Sequence, residues 1–272
     1  MTLTIKPEDA EAHAALARRA LPLLDLTSLG EGEDEDTAAA LCARALSPAG
    51  SVAAVCLWPS FIPQARELLA GSGVRIATVV NFPGGSLSPE RVAEQTTAAL
   101  ADGADEIDVV IPYHSIMLYP NSTQPDEVLA ATREAAGDAV MKVILETGSL
   151  AKPVFIERAV EIAVRNGADF LKTSTGKVPV GATLGAARIM LAACRDSLVP
   201  EDGVLKRPVG FKASGGIRDI DGARDYLALA DHICGPGWVS PATFRFGASG
   251  LLDALLAALG QEAGATGRPS TY

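Results

Sequence analysis

Eight short apolar segments, each separated from the next by a stretch with helical periodicity, run along the chain. Strands and helices that alternate in this way predict a parallel sheet covered by helices. Eight such units in roughly 250 residues are typical of a (β/α)₈ (TIM) barrel. An open doubly wound sheet is the alternative, but no Gly-x-Gly-x-x-Gly follows the first segment to favour it. The predicted strands are Leu23–Leu26, Val52–Leu57, Ile76–Val80, Glu106–Ile111, Val140–Glu146, Phe170–Thr173, Val209–Lys212 and Thr243–Phe246.

Local signals mark several helix boundaries. Ser88, Pro89 and Glu90 combine an N-cap residue, a proline at the first helical position and an early carboxylate, so a helix is predicted to begin there. The tripeptide Gly-Ala-Asp occurs at Gly103 and again at Gly167, each time between a predicted helix and a predicted strand. Glycine supplies the left-handed residue that ends a helix, so one junction is used twice. Apolar residues at helical spacing predict a further helix with one buried stripe: Ala38, Leu41, Cys42, Ala45 and Leu46.

The barrel is predicted to take up residues 1–272 as a single domain, with residues 1–20 as an extra N-terminal helix and residues 261–272 as a flexible, mobile tail. The formal net charge of −10 disfavours nucleic acid and membrane surfaces as partners. No signal peptide is evident, and no apolar run approaches the roughly 18 residues of a membrane span. The four cysteines are widely separated, which favours a cytoplasmic location. The three histidines share no local motif, so no catalytic zinc site is expected.

Ionisable residues inside the predicted strands are the informative anomaly. Strand side chains alternate between two faces, so Glu106 and Asp108 would point into the barrel. One charge in a strand usually marks a solvated face, but here five strands repeat the pattern, and barrel active sites form at the carboxyl ends of strands. Lysines that share one interior disfavour each other's charge, which is a route to a neutral, nucleophilic amine. The other members of the set are Asp25, Lys142, Glu146, Lys172 and Lys212.

Glycine-bearing loops follow the sixth, seventh and eighth predicted strands, at residues 173–177, 214–217 and 247–250. Barrels often bind phosphate in these loops, where backbone N–H groups and a helix N-terminus approach an anion. A glycine pair alone is more often only a turn. Three such loops in the expected places predict a phosphate site, which would give an acidic protein a local positive field.

These segments together resemble the deoxyribose-phosphate aldolases, a family of class I aldolases with the (β/α)₈ fold. The resemblance extends from about Leu23 to Tyr272, and its most specific block is Lys172-Thr-Ser-Thr-Gly-Lys177. It rests also on residues 24–27, 55–56, 81–83, 106–110, 142–144, 167–171, 210–212, 215–216 and 245–249.

The resemblance implies reversible aldol addition of acetaldehyde to glyceraldehyde 3-phosphate, which gives 2-deoxyribose 5-phosphate through a lysine Schiff base. It implies small aldehyde and sugar-phosphate substrates and no metal or organic cofactor, because the iminium is itself the electron sink. A homodimer is the possible assembly.

The same resemblance implies roles for individual residues. Lys172 would form the Schiff base, Lys212 would keep it unprotonated, and Asp108 would relay protons through water. Asp25 would support Lys212, and Lys142 would complete the charge network. The phosphate contacts would come from Gly176, Lys177, Gly215, Gly216, Gly247, Ser249 and Gly250.

Many family members carry a second serine where this chain has Gly250, which removes a hydroxyl from the phosphate end but keeps the backbone donor. Tyr272 lies in a polar terminus whose composition is typical of a dispensable tail. The resemblance implies instead that its phenol enters the active site and assists proton transfer.

Two other functions remain open from the residues alone. One is a different lysine-dependent barrel aldolase that acts on a keto acid or a ketose phosphate. The other is a catalytically silent barrel that only binds a sugar phosphate, since a fold does not determine a function.

Overall fold

The computed structural model describes residues 7–199 and 207–261. Within them eight parallel strands close into a barrel with helices outside, so the predicted (β/α)₈ fold is confirmed. Each strand pairs with the next one along the chain, and the eighth pairs with the first. The strands are β1 (Leu24–Thr27), β2 (Ala54–Leu57), β3 (Arg75–Val80), β4 (Glu106–Val110), β5 (Val140–Ile144), β6 (Phe170–Lys172), β7 (Gly210–Ser214) and β8 (Phe244–Ala248).

Helices fill the connections between the strands. The N-terminal helix α1 precedes the barrel, and no helix in the described ranges is long and apolar enough to cross a membrane. The last described residue is Gln261, so residues 262–272 of the predicted tail lie outside the described part. The helices are α1 (Pro7–Ala20), α2 (Glu35–Arg44), α3 (Ile62–Leu68), α4 (Pro89–Ala101), α5 (Tyr113–Leu118), α6 (Gln124–Ala136), α7 (Thr147–Leu150), α8 (Pro153–Arg165), α9 (Leu184–Asp196), α10 (Ile220–Cys234) and α11 (Leu251–Ala258).

Side-chain caps begin several of these helices. The Ser88 hydroxyl accepts a hydrogen bond from the backbone N–H of Arg91 at 3.4 Å, which confirms the predicted start of α4. The apolar stripe that was predicted for α2 is wrong at its last member, Leu46. The helix ends at Arg44, and Leu46 pairs with Ser51 in a two-residue hairpin, where it is 42% exposed. The apolar spacing continues past the point where the chain leaves the helix, so spacing alone could not locate this end.

The first Gly-Ala-Asp junction is a clamp at the amino end of the barrel. Gly103, which follows the C-cap residue of α4, has φ of 106°. The Asp105 carboxylate accepts a hydrogen bond from the backbone N–H of Ile76 in β3 at 2.8 Å. Arg66 of α3 pairs with that carboxylate at 2.9 Å and donates to the Gly103 carbonyl. One arginine and one carboxylate therefore connect a helix end to two strands.

The second Gly-Ala-Asp junction repeats this clamp with different residues. Gly167 has φ of 77° after α8, and Asp169 accepts from the backbone N–H of Met141 in β5 at 2.8 Å. Arg133 of α6 pairs with Asp169 at 2.9 Å and donates to the Gly167 carbonyl at 3.3 Å. The predicted use of one helix-to-strand junction twice is thus matched by the same contacts in both places.

The strands present two different faces. Ile107 and Val109 belong to the large apolar core that lies between the barrel and its helices. Asp108, between them in sequence, is fully buried on the other side of the strand, inside the barrel. The interior therefore holds charge where the outer face holds apolar side chains, and this places the candidate site.

Candidate active site

Seven charged side chains meet inside the barrel, and six strands contribute them. Each is at most 6% exposed. Parallel pairing brings them together, because Asp108 is in register with Lys142, and Lys172 is in register with Lys212. The members are Asp25 on β1, Glu106 and Asp108 on β4, Lys142 on β5, Lys172 on β6, Lys212 on β7 and Arg245 on β8. We call this set the interior ion cluster.

Asp108 is the centre of the interior ion cluster. Its Oδ1 lies 2.7 Å from Lys142 Nζ, and its Oδ2 lies 2.8 Å from the Nζ atoms of both Lys172 and Lys212. Burial raises the pKa of this carboxyl, but the three lysine charges lower it further, so that the pKa of Asp108 lies well below its usual range. Asp108 is therefore a carboxylate that joins three amines.

Asp25 connects the lysines to the eighth strand. Its Oδ2 lies 2.5 Å from Lys212 Nζ and 3.5 Å from Lys142 Nζ, and its Oδ1 lies 2.5 Å from the Arg245 guanidinium. Burial raises the pKa of Asp25, but the charges of Lys212, Arg245 and Lys142 lower it more, and the net shift is downward. The expected contact between Asp25 and Lys212 is thus present.

The three lysines differ in how many carboxylates surround them. Lys142 contacts three, at 2.6 Å from Glu106, 2.7 Å from Asp108 and 3.5 Å from Asp25. Burial lowers the pKa of Lys142, but these carboxylates raise it further, so Lys142 keeps its proton. Lys172, the last residue of β6, contacts one carboxylate of the described chain, that of Asp108. Among the three lysines, Lys172 therefore has the fewest ion-pair partners within the described ranges.

Arg245 was not among the candidate residues of the sequence. Its guanidinium contacts Asp25 at 2.5 Å and Glu106 at 3.1 Å and lies 5.5 Å from the centre of the Phe170 ring. A signal was present, since Arg245 lies between two buried phenylalanines of the predicted eighth strand. The alternation that identified Asp108 would have placed this side chain inside the barrel as well.

The glycine loops after β6 and β7 pack directly on each other. The backbone N–H of Ala182 donates to the Gly215 carbonyl at 3.0 Å. A Cβ atom at Gly181 would lie 2.4 Å from the same oxygen, so no side chain fits there. Gly215 and Gly216 have φ of 86° and 88°, which L-residues rarely adopt. These two candidate phosphate residues therefore hold a tight turn beside the loop that carries Gly176.

Lys177 and Gly247 have contacts that the sequence did not suggest. The Nζ of Lys177 donates to the Leu29 carbonyl at 2.6 Å, which ties the loop after β6 to the loop after β1. Gly247 lies within β8 and not in the loop after it, which corrects its predicted position. A Cβ at Gly247 would lie 2.9 Å from Cε of Lys212 and 2.2 Å from the Ser214 hydroxyl. The absence of a side chain at position 247 therefore leaves room for the Lys212 side chain.

Ser249 and Gly250 follow β8, and Gly250 is the N-cap residue of α11. Nothing lies within 4 Å of a Cβ built at Gly250. The positive end of a helix dipole is therefore next to an open position, as expected for an anion site.

The sequence misplaced one residue, Glu146, and gave no indication of two buried hydroxyls, those of Ser174 and Ser214. Glu146 was predicted to extend the fifth strand, but β5 ends at Ile144 and Glu146 has φ of 56°. Its buried carboxylate accepts hydrogen bonds from the hydroxyl and the N–H of Thr175, and burial raises its pKa. The buried hydroxyls of Ser174 and Ser214 have no hydrogen-bond partner within the described ranges. Tyr272 lies outside the described residues.

Residues 21–237 match the model of the DeoC/LacD family aldolases. Over 255 residues the chain is 50% identical to the deoxyribose-phosphate aldolase of Agrobacterium fabrum (strain C58 / ATCC 33970), which covers 93% of this chain and 94% of that protein. A crystal structure from Toxoplasma gondii ME49, provisionally named deoxyribose-phosphate aldolase, is similar with a TM-score of 0.83 and 26% identity, covering 92% of this chain and 96% of that one. The tetrameric deoxyribose phosphate aldolase of Aeropyrum pernix, 24% identical with a TM-score of 0.68 and coverages of 93% and 98%, supports the fold alone.

Proposed function

The chain belongs to the DeoC/LacD family of aldolases, and we propose that it cleaves 2-deoxy-D-ribose 5-phosphate reversibly to D-glyceraldehyde 3-phosphate and acetaldehyde. The similarity to the Agrobacterium fabrum enzyme over 93% of the chain supports this substrate. The reaction would belong to the catabolism of deoxyribose phosphate.

The proposed mechanism rests on the position and contacts of Lys172. Lys172 is fully buried at the end of β6, and its Nζ meets the single carboxylate of Asp108 while two further lysines share the same interior. A nucleophilic amine must be neutral, and neighbouring cations favour the neutral form. Lys172 is therefore the proposed Schiff-base lysine.

The first step joins the substrate to Lys172. The neutral Nζ attacks the aldehyde carbon C1, a C–N bond forms, and the carbonyl oxygen takes up a proton to give a carbinolamine. The nitrogen gives up a proton, the carbinolamine hydroxyl takes up a second proton and leaves as water, and an iminium ion remains. Asp108 contacts Lys172 Nζ at 2.8 Å and would relay both protons through water.

The second step breaks the carbon–carbon bond. The C3 hydroxyl loses its proton, the C2–C3 bond breaks, and its electron pair moves into the iminium to form an enamine. Glyceraldehyde 3-phosphate leaves, C2 takes up a proton, and water hydrolyses the new iminium to release acetaldehyde and the amine. Lys142 and Asp25 would hold Lys212 and Asp108 in place around this centre.

The phosphate group would lie against the loops after β6, β7 and β8. Gly176, Gly215 and Gly216 would offer backbone N–H groups, and Lys177 would add a positive charge. Gly247, Ser249 and Gly250 would supply the end of β8 and the N-terminus of α11, where partial positive charge favours an anion.

Adduct trapping tests the proposal directly. Incubation with acetaldehyde and borohydride should attach a two-carbon group to the peptide that holds Lys172. An adduct found mainly on Lys212 would reverse the two lysine roles. Pyruvate and dihydroxyacetone phosphate, offered in place of acetaldehyde, should give no adduct. An adduct with either of them alone would assign the chain to another aldolase activity.

Tyr272 is proposed as a proton donor and acceptor in the enamine step. Tyr272→Phe should slow turnover and the exchange of acetaldehyde methyl protons with solvent, by about 10²–10⁴-fold. Lys172 should still be trapped by borohydride in this variant, because the phenol is not needed for imine formation. Unchanged proton exchange would show that the residue is dispensable.

We further propose that the protein assembles as a homodimer in the cytoplasm. Buried free thiols at Cys42, Cys56 and Cys194 suit a reducing compartment. Sedimentation equilibrium would test the assembly. A tetramer in this measurement, as in the Aeropyrum pernix relative, would contradict the proposed homodimer.

A further inference from the structure

Ser214 holds a buried hydroxyl at the carboxyl end of the barrel. It is the last residue of β7 and is fully buried. Its Oγ has no hydrogen-bond partner among residues 7–199 and 207–261. Buried polar groups are nearly always hydrogen-bonded, because burial without a partner loses the contacts with water and gains none in return. A hydroxyl of a bound molecule would satisfy this group.

The Ser214 hydroxyl points into the barrel interior. Gly247 of β8 is in register with Ser214 and follows Arg245, a member of the interior ion cluster, by two residues. Side chains two residues apart on a strand share a face, so a Cβ at Gly247 would also point inward. That Cβ would collide with Ser214 Oγ and would lie 2.9 Å from Cε of Lys212. The hydroxyl therefore lies inside the barrel, beside the side chain of Lys212.

The backbone of Ser214 is held by hydrogen bonds at both its N–H and its carbonyl. The N–H donates to Thr173 Oγ1 at 2.9 Å, and the same threonine hydroxyl donates to the Ser214 carbonyl at 2.9 Å. This carbonyl also accepts from the N–H of Ala182 at 3.0 Å. A polar side chain on a fixed backbone is preorganised for binding, because little freedom is lost when a ligand arrives.

Ser214 lies between the proposed positions of the two ends of the substrate. Lys172, which would hold C1, is in register with Lys212, and Ser214 follows Lys212 by two residues, or about 7 Å along the strand. Gly215 and Gly216, which would hold the phosphate on C5, come directly after Ser214. Lys172 and Ser214 are both fully buried, so the substrate must enter to the depth of both. Its carbon chain therefore passes the Ser214 hydroxyl.

The acyclic substrate carries hydroxyl groups on C3 and C4 between these two ends. The C3 hydroxyl loses its proton when the carbon–carbon bond breaks, so it belongs near the lysines and Asp108. C4 is bonded to the carbon that carries the phosphate, so its hydroxyl belongs nearer the glycine loops. Ser214, directly before Gly215, is on that side.

We propose that Ser214 is a specificity-determining residue whose hydroxyl hydrogen-bonds the C4 hydroxyl of the substrate, which is the C2 hydroxyl of glyceraldehyde 3-phosphate. The inference rests on the proposed function, which supplies the substrate and the direction in which it lies. It makes the serine a sensor of the acceptor aldehyde, distinct from the groups that would bind the phosphate.

Two other buried serines provide comparisons. Ser174, which follows Lys172 by two residues, has the other buried serine hydroxyl without a partner in the described ranges. Ser197 lies at the opposite end of β7, where its Oγ donates to the Cys194 carbonyl at 2.6 Å and accepts from the Val209 N–H at 3.0 Å. Ser174→Ala therefore tests the competing hydroxyl, and Ser197→Ala is the matched control at a distance from the substrate.

The test is the aldol addition of acetaldehyde to four acceptors. Two carry the C2 hydroxyl, D-glyceraldehyde 3-phosphate and D-glyceraldehyde, and two lack it, 3-oxopropyl phosphate and 3-hydroxypropanal. Ser214→Ala should lower kcat/KM about tenfold for the two acceptors with the hydroxyl, because one hydrogen bond is lost and a buried substrate hydroxyl stays unpaired. The other two acceptors, and the trapping of acetaldehyde on Lys172, should be unaffected.

The same panel gives the results that would overturn the proposal. An equal loss with all four acceptors would mean that the hydroxyl only supports the site, and a loss confined to the phosphorylated pair would place it at the phosphate. A selectivity change in Ser174→Ala with none in Ser214→Ala would assign the contact to Ser174. Ser197→Ala should lower the unfolding temperature and leave the ratio between acceptors unchanged; a changed ratio would show that loss of packing alone alters selectivity.

A second variant covers a failure to fold. If Ser214→Ala does not fold, Ser214→Cys decides by the same ratio of kcat/KM values, because a thiol is a weak hydrogen-bond donor of similar shape. An unchanged ratio in that variant overturns the proposal. A wild-type protein that forms no acetaldehyde adduct on Lys172 would instead refute the proposed function.

Discussion

Carboxylates meet cations at two levels of the barrel, and the two levels are built differently. At the amino end, the Gly-Ala-Asp clamps pair Asp105 with Arg66 and Asp169 with Arg133. These side chains are partly exposed, from 15% for Asp169 to 45% for Arg66. In the interior ion cluster, Asp108 meets three lysines, and all four side chains are at most 1% exposed.

The two levels differ in the groups that donate hydrogen bonds to each carboxylate. Asp105 and Asp169 each accept a hydrogen bond from a strand N–H, so they fix the backbone, and exposure screens their charge. Asp108 instead accepts hydrogen bonds from the side-chain amines of Lys142, Lys172 and Lys212, in an interior where charge is poorly screened. The clamps therefore fix the backbone, whereas the cluster is the place where we propose that protons are moved. Variants at each level test this distinction.

The largest effect is expected at Lys172. Lys172→Arg should abolish turnover and acetaldehyde trapping, because a guanidinium stays protonated and cannot form an imine. Activity assays and mass spectrometry of the trapped protein measure both losses. The matched control is Lys152→Arg on the exposed surface, which should retain activity. Residual trapping in Lys172→Arg, on Lys212, would show that the cluster offers a second nucleophile.

Asp108→Asn should lower turnover by about 10²–10⁴-fold. The amide cannot accept and return a proton, and it leaves three lysines without their shared charge. Measurements of kcat and of the free energy of unfolding separate the two consequences. A loss of stability with unchanged kcat would place Asp108 with the clamps and remove the distinction between the two levels.

The fold and the Gly-Ala-Asp junctions were predictable because they depend on local pattern, whereas the arginines that complete the clamps were not predicted. All eight strands were located from apolar runs, and the Gly-Ala-Asp repeat correctly indicated one junction used twice. Within the site, Asp25, Asp108, Lys142, Lys172 and Lys212 do lie together, since side-chain alternation and barrel closure bring them inward. Their roles in catalysis stay predictions.

What could not be predicted depends on contacts between distant segments. The link from Lys177 to Leu29 crosses from the sixth loop to the first, and the room that Gly247 leaves for Lys212 depends on the register of two strands. Neither leaves a local trace in the sequence. Arg245 is a different case, because side-chain alternation along the eighth strand is sufficient to place it inside the barrel.

A smaller effect, on stability alone, is expected at the clamps. Asp169→Asn should lower the free energy of unfolding by about 1–3 kcal/mol, because it removes the charge that Arg133 and the Met141 N–H share. The kcat should stay unchanged. Asp105→Asn is the matched variant in the other clamp and should behave alike. A change in the pH profile of turnover in either variant would mean that the clamps also influence the interior charge.

The smallest effect is expected at Gly250, at the proposed phosphate end of the barrel. Gly250→Ser adds a hydroxyl at a position with φ of −82° and nothing within 4 Å of the new Cβ, so the side chain fits. One hydrogen bond to a charged phosphate is worth about 1.5 kcal/mol, which should lower KM for 2-deoxyribose 5-phosphate about tenfold. Gly250→Ala is the control, because it adds the Cβ without the hydroxyl and should leave KM near its original value. Unphosphorylated deoxyribose should respond to neither variant. An equal change of KM for both substrates in Gly250→Ser would mean that the phosphate binds elsewhere. The ion cluster would then be the one functional feature left at the carboxyl end of the described barrel.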